Sequence, residues 1–189
     1  MLATATARTC GSCTFCCKVM AVDELHKPVG KWCDHRVASG CSIYGQHPPS
    51  CQEFTCQWLG EPSMPAAFRP DRTKVVLTAD DEGPRLIANC DPNNPMTWKR
   101  EPIYSLLKRQ AAITWRSNMT VMAKAGSRMW LITPTKEIDI GEVHDRAPMS
   151  IEKSGAGDAV VKVLPLIEEG LDVDDHLDKL RFSAAPHTS

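Results

Sequence analysis

Residues 10–17 read CGSCTFCC, four cysteines within eight positions. How those sulfurs are used decides how the first part of the chain folds. Four more cysteines follow, Cys33, Cys41, Cys51 and Cys56, and a ninth, Cys90, stands apart. Three uses compete. A disulfide framework suits small secreted domains that lack a core. Here the opening MLATATARTC has a single Arg and no long apolar stretch, so it reads as a short disordered lead-in and not as a secretory signal. Adjacent cysteines also pair only with strain. A thioredoxin-type redox pair is the second use, and both Cys10-x-x-Cys13 and Cys13-x-x-Cys16 have its spacing. No strand-like run precedes Cys10 to place such a pair at a helix start, where the thiol pKa falls, and six further cysteines would be left without a role. Metal coordination is the third use, and the spacing favours it. A C-x-x-C turn aims two sulfurs to one side of a tight loop, and Gly11 and Ser12 are small enough for that turn.

The candidate ligands are therefore Cys10, Cys13, Cys16, Cys17, Cys33, Cys41, Cys51 and Cys56. Thiolates are soft donors that select zinc, cuprous copper or iron–sulfur clusters over calcium and magnesium. All-cysteine sets suit zinc and four-iron clusters alike, so two zinc ions, one cluster with spare thiols, or two clusters all remain open. Cys16 and Cys17 are neighbours whose side chains diverge, so they serve two sites, or one ligates while the other packs. His35 and His47 lie close enough to replace a sulfur or donate to one, although a solvated loop role is the simpler reading. Lys18, Lys27, Lys31 and Arg36 balance Asp23, Glu24, Asp34 and Glu53 in number. Of these cations, Lys18 and Lys31 are expected to offset the charge of a thiolate site.

The order CGSCTFCC, then KWCDH, then GCSIYGQHPPSCQEFTCQWL resembles the bacterial CxxCxxCC proteins, described as zinc- or iron-chelating. The likeness runs from Cys10 to Leu59 and includes Trp32-Cys33, the Gly40–Tyr44 element, and the closing Cys51, Phe54, Cys56, Trp58 and Leu59. It implies metal chelation by the cysteines, in some relatives as an iron–sulfur cluster. A similar segment is joined to a flagellin lysine methylase, which hints at radical or redox chemistry in a distant branch. The family's longer members also share, more loosely, elements like NCDPNNPMTW and ITP. One departure stands at His47, where relatives carry Arg before the proline; this puts a copied role for that position in doubt, though not the thiolates. Trp32, Tyr44, Phe54 and Trp58 are expected to supply the small core of this loop-rich segment and to shield the site from water.

Beyond it, PSMPAAFRP (62–70) reads as a linker or extended crossing. Strands are expected at Lys74–Ala79 and Arg85–Asn89 around an Asp-Asp-Glu-Gly turn. A helix is expected from Glu101 to Arg116, with Pro102 at a tolerant early position and Ile103, Leu106, Leu107, Ala111 and Trp115 on one stripe. MTVMAKAGSRMWLITP reads as a hairpin turning near Ala125-Gly126, and a last short strand is expected at Glu137–Ile140. Cys90 reads as a small buried side chain at a strand end. Asp71, Asp80, Asp81 and Glu82 read as a solvated turn, and SGAGD (154–158) as a hinge. DAVVKVLPLIEEG begins as a possible helix interrupted by Pro165, DVDDHLD as a charged turn or helix start without the Gly and Glu of a calcium loop, and the last residues as disordered.

The expected fold is thus α+β: a cysteine-rich, loop-rich metal-binding module (1–62), a small antiparallel sheet with one helix (63–147), and a tail with a possible helix (148–189). The chain has 189 residues and a net charge of −1, which argues against nucleic acid as a partner. No apolar run is long enough to cross a membrane. No hydrolase triad, phosphate loop or H-E-x-x-H helix is present. The expectation is a cytoplasmic metal-binding protein, more a non-enzyme than an enzyme, with zinc or iron as partner and any protein partner unknown. An iron–sulfur redox protein and a metal storage or delivery protein are the rivals.

Overall fold

The computed structural model describes residues 8–80, 84–144, 147–155 and 157–165. The lead-in up to residue 7, the core of the Asp-Asp-Glu-Gly turn, the DVDDHLD stretch and the last residues lie outside them. The cysteine-rich segment forms only short elements: α1 (Cys16–Val19), β1 (Arg36–Val37), β2 (Gly40–Cys41), α2 (Pro49–Glu53) and α3 (Gln57–Gly60). Single hydrogen-bonded turns join them, as a chain rich in cysteine, proline and glycine and poor in periodic apolar residues dictates. Arg8 fastens the start of the segment to its end. Its guanidinium donates to the carbonyls of Trp58, Glu61, Pro62 and Met64 at 2.5–3.0 Å.

The stretch read as a linker is folded. Ala66–Phe68 makes a 3₁₀ turn, α4 (Pro70–Thr73) follows, and Met64 and Phe68 pack against the main core. Both Met64 and Phe68 are large and apolar, and burial in that core outweighs the extended preference of the prolines around them.

Next comes β3 (Val75–Asp80), whose Val-Val-Leu start favours a strand. It pairs antiparallel with β4 (Arg85–Cys90), Val75 opposite Cys90. A single long helix, α5 (Ile103–Thr114), leads to β5 (Thr120–Ala125), β6 (Arg128–Ile132) and β7 (Glu137–Glu142). The five strands form one sheet in the order β3-β4-β5-β6-β7. It is a mixed sheet: β4 and β5 run parallel, with Leu86 opposite Val121, and all other pairs are antiparallel. The wholly antiparallel expectation is corrected here. Strands joined by a hairpin must be antiparallel, but β4 and β5 are joined by the long crossover that holds α5, which returns the chain to the same end of the sheet.

Alternation along the strands divides the interior in two. Val75, Leu77, Leu86, Ala88, Val121, Ala123, Trp130 and Ile132 face α5, where Ile103, Leu107 and Ala111 repeat at helical spacing. Trp98 is fully buried in this core, 5.9 Å from Trp130 and 6.3 Å from Tyr104, ring to ring. Cys90 is buried at the end of β4, as expected of a plain core thiol, and burial pushes its pKa up to about 12. Leu106 packs at the edge of the helix stripe, whereas Trp115, just past α5, turns its indole N–H to the Gly155 carbonyl at 2.9 Å.

The opposite face has two covers. Val76 meets the cysteine-rich segment through Phe15, Val19 and Cys56. Further along, Met122, Met129, Leu131 and Val143 meet a second hairpin, β8 (Met149–Ser154) and β9 (Asp158–Val163). The expected helix beginning at Asp158 is therefore a strand, and it pairs with β8 from Ser154 opposite Asp158 to Met149 opposite Val163. Met149, Ile151, Ala159 and Val161 alternate inward with period two, the signature of a half-buried strand. Gly157 lies against the Thr135 side chain so closely that a β-carbon would collide with it, which fixes glycine at that position.

Leu107 sits at the centre of the larger core, so Leu107→Ala is expected to lower the unfolding free energy by about 2–5 kcal/mol. Urea denaturation followed by far-UV circular dichroism checks this; a shift in midpoint smaller than that of an exposed-site control such as Ile113→Ala would contradict the packing described.

Candidate metal centre

Gly11, with φ of +51°, lets the chain reverse so that the Cys13 N–H reaches the Cys10 carbonyl at 2.9 Å. Helix α1 begins directly afterwards. Successive residues on a helix point about 100° apart, and this separates Cys16 from Cys17. Cys16 joins Cys10, Cys13 and Cys56 around a cavity of about 20 Å³. The rest of its wall is mostly apolar, with Val76 of β3 as floor and Phe54, Trp58 and Leu59 beside it. Cys17 is not in that wall. Its carbonyl accepts the Cys33 N–H at 3.1 Å, and its thiol shares the field of Lys27 with Cys33, Cys16 and Cys51. Among the described residues, then, the sulfurs form two neighbouring sets: Cys10, Cys13, Cys16 and Cys56, and the looser Cys17, Cys33 and Cys51. Cys41 lies opposite Arg36 in the β1–β2 pair, half-buried, and lines neither cavity. All nine cysteines are free thiols, so no disulfide framework is present.

Electrostatics links the two sets through Cys16 and Cys17. Burial raises the Cys10 and Cys56 thiols, with nearby cysteines adding to the effect. Cys16 is raised as well, first by the hydrogen bond it gives to Cys17 and then by burial. That same bond lowers Cys17 to about 7, against the penalty of burial and with help from Lys27, its own backbone N–H and Arg36. Burial pushes Lys27 down, while the surrounding thiolates pull it back up. Lys27 also donates to the Met20 carbonyl. The cations that act on the sulfurs are thus Lys27 and Arg36 beside Cys17, and Arg69 beside Cys10. Lys18, expected in that role, instead pairs with Asp91 at 3.4 Å and ties the segment to the end of β4. Lys31 borders a separate cavity of about 80 Å³ with Cys33, Trp32 and His35.

Arg69 and Arg8 were not marked by any sequence motif. Their guanidiniums lie 5.7 Å and 4.7 Å from the Trp58 ring, and Arg69 also donates to Ser12 Oγ at 3.1 Å and the Cys10 carbonyl at 3.4 Å. Arg69 Nε and Asp71 Oδ1 are 3.1 Å apart as an ion pair, without the alignment of a hydrogen bond. Trp58 Nε1 is buried and has no acceptor among the described residues.

The aromatic residues divide. Phe54 and Trp58 pack in the cluster around Val76, whereas Trp32, expected in the core, is 37% exposed and meets Phe15 edge-on at 6.3 Å. Tyr44 does not belong to the core, contrary to expectation: it is 71% exposed and stacks on His47 at 5.1 Å. His47 Nδ1 accepts the Gly45 N–H at 3.0 Å, so this histidine closes a turn.

Among the described residues, no group of three or more His, Cys, Asp or Glu side chains is gathered so as to hold a metal ion. The four thiols of the first set line their cavity without converging on one point. Their chemistry nonetheless fits a thiophilic cation, since they are soft donors in an apolar wall with arginines at its edge. No family model matches the chain, and no match is found among curated proteins or solved structures.

Cys17 lies below the ordinary thiol value of 9.0. A depressed acid stabilises the fold above its unfolded value, so this contribution in the metal-free protein is complete above about pH 9 and lost as pH falls through about 7. Cys17 is also expected to be alkylated by iodoacetamide with half-maximal rate near pH 7, while Cys10, Cys16 and Cys56 react only at higher pH. Peptide mapping by mass spectrometry after pH-stepped labelling of metal-free protein reads this out, and equal reactivity across the set would contradict it.

Proposed function

We propose that this is a metal-binding protein that chelates zinc or iron through its clustered cysteine thiolates. The observation that carries the reading is the cavity of about 20 Å³ lined by Cys10, Cys13, Cys16 and Cys56. Burial makes these thiols costly to ionise, and a divalent cation supplies the opposing charge that displaces their protons. Four thiolates around one such ion form a tetrahedral site with sulfurs about 2.3 Å from the metal. The sulfurs must therefore move inward on loading. Arg69 and Arg8, stacked on Trp58, then offset part of the negative charge of the loaded site.

Cavity size favours a single ion. A volume near 20 Å³ is comparable with the space needed by one water, and four irons with their sulfides would need expansion. An iron–sulfur redox centre is the second reading, favoured by the apolar wall and by the buried Trp58 N–H, which a sulfide would accept. A dense set of free thiols suits a reducing compartment, so we place the protein in the cytoplasm. No helix among the described residues is long and apolar enough to cross a membrane.

Protein purified without oxygen is expected to contain stoichiometric zinc or iron by elemental analysis. Zinc gives a colourless protein, whereas an iron–sulfur centre gives a brown one that bleaches on reduction. Cys56→Ser is expected to lose the ion of the first set and Cys90→Ser to retain it. Folded wild-type protein without metal, or equal metal content in both variants, would overturn the proposal.

A further inference from the structure

A further cavity lies away from the thiols. It has a volume of about 610 Å³ and sits between the loop after α5, the first residues of β4 and β5, and the inner edge of β8. No cysteine lines it. Arg116 and Lys153 line it, together with Arg85, which already engages a group of its own, and none of the described lining residues is acidic. Trp115, Met149 and Ile151 provide apolar surface beside the cations.

The walls are tied together. The Trp115 indole N–H donates to the Gly155 carbonyl at 2.9 Å, joining the end of α5 to the turn of the second hairpin. Lys153 donates to the carbonyls of Ser117 and Met119 at 2.9 Å and 2.6 Å, and its ammonium lies 5.3 Å from the Trp115 ring. The cavity is thereby held open between two fastened elements, and no closure is needed to create it. Arg116 is exposed and makes no ion pair among the described residues. A planar guanidinium of this kind grips carboxylate and phosphate groups through paired N–H donors. The volume falls in the range of small-molecule sites, roughly 300–1,000 Å³.

We propose that this cavity binds a small organic oxyanion, a phosphate ester or carboxylate that also carries a flat apolar group. The oxyanion is held by Arg116, and the apolar part lies against Trp115, Met149 and Ile151. Lys153 acts as the strut that positions Trp115 and the loop. The site is independent of metal loading, so it stands or falls separately from the thiol chemistry.

The test uses the full chain with phenyl phosphate and benzoate as probes and phenol as the uncharged control, followed by NMR of the indole N–H signals. At least one of the two anions is expected to shift the Trp115 signal, assigned by its loss in Trp115→Phe, and to saturate below about 1 mM. Arg116→Gln should weaken that binding by about tenfold or more, the fold-change of one lost charge-assisted hydrogen bond of roughly 1.5–3 kcal/mol. The same variant should leave the melting temperature unchanged, because Arg116 is exposed. Saturation by phenyl phosphate alone or by benzoate alone identifies which oxyanion the site takes. No saturable shift with either anion in wild-type protein overturns the proposal, and so does a response to phenol equal to theirs. Unchanged anion binding in a folded Arg116→Gln protein overturns it as well.

Discussion

Three successive residues of β3, Val75, Val76 and Leu77, are buried on alternate faces of the sheet, and the arrangement of the rest follows from this two-sided burial. Val75 and Leu77 belong to the core under α5. Val76 belongs to the cysteine-rich segment and forms the floor of the thiol cavity. That segment has short elements and few periodic apolar residues, so it leans on the sheet for its core. Burying one valine contributes about 1.5–3 kcal/mol, and Phe15, Val19 and Cys56 share the same contact. The Lys18–Asp91 ion pair and the fourfold clasp of Arg8 hold the margins of the contact in place. The thiols are thus positioned by an apolar surface that is not itself part of their chemistry.

The same contact explains the electrostatics. Apolar cover raises Cys10 and Cys56, whereas Cys17 is lowered, first by the hydrogen bond it accepts from Cys16 and then by Lys27 and Arg36. The one bond between these neighbours in α1 shifts them in opposite directions. Burial makes the inner thiols harder to ionise, while Cys17 is the easier one to ionise. The proposed ion would resolve the inner penalty by replacing protons with metal.

Much of the sheet could be read from the chain because its signals are local. Val-Val-Leu marks β3, the Ala125-Gly126 turn marks the β5–β6 hairpin, and Ile103, Leu107 and Ala111 mark the helix. Parallel pairing of β4 with β5 left no local mark, since it arises from where the crossover returns. The second hairpin was hidden by the run of valines after Asp158, which reads equally as a helix until Met129 and Leu131 supply the face it covers. The thiols were legible as a set but not in their division, which depends on a single turn of helix at Cys16 and Cys17. Arg69, Lys27 and Arg8 reach the site from positions without any motif, and Tyr44 carries the composition of a core residue but lies in an exposed turn.

X-ray absorption at the metal edge of protein purified without oxygen tests the central claim most directly, because it reads the ligand shell itself. The account predicts a first shell of four sulfurs at about 2.3 Å around a single ion, with sulfur replaced by a lighter atom in Cys56→Ser. A shell of oxygen and nitrogen alone, or a wild-type spectrum unchanged by loss of the Cys56 thiol, would contradict it.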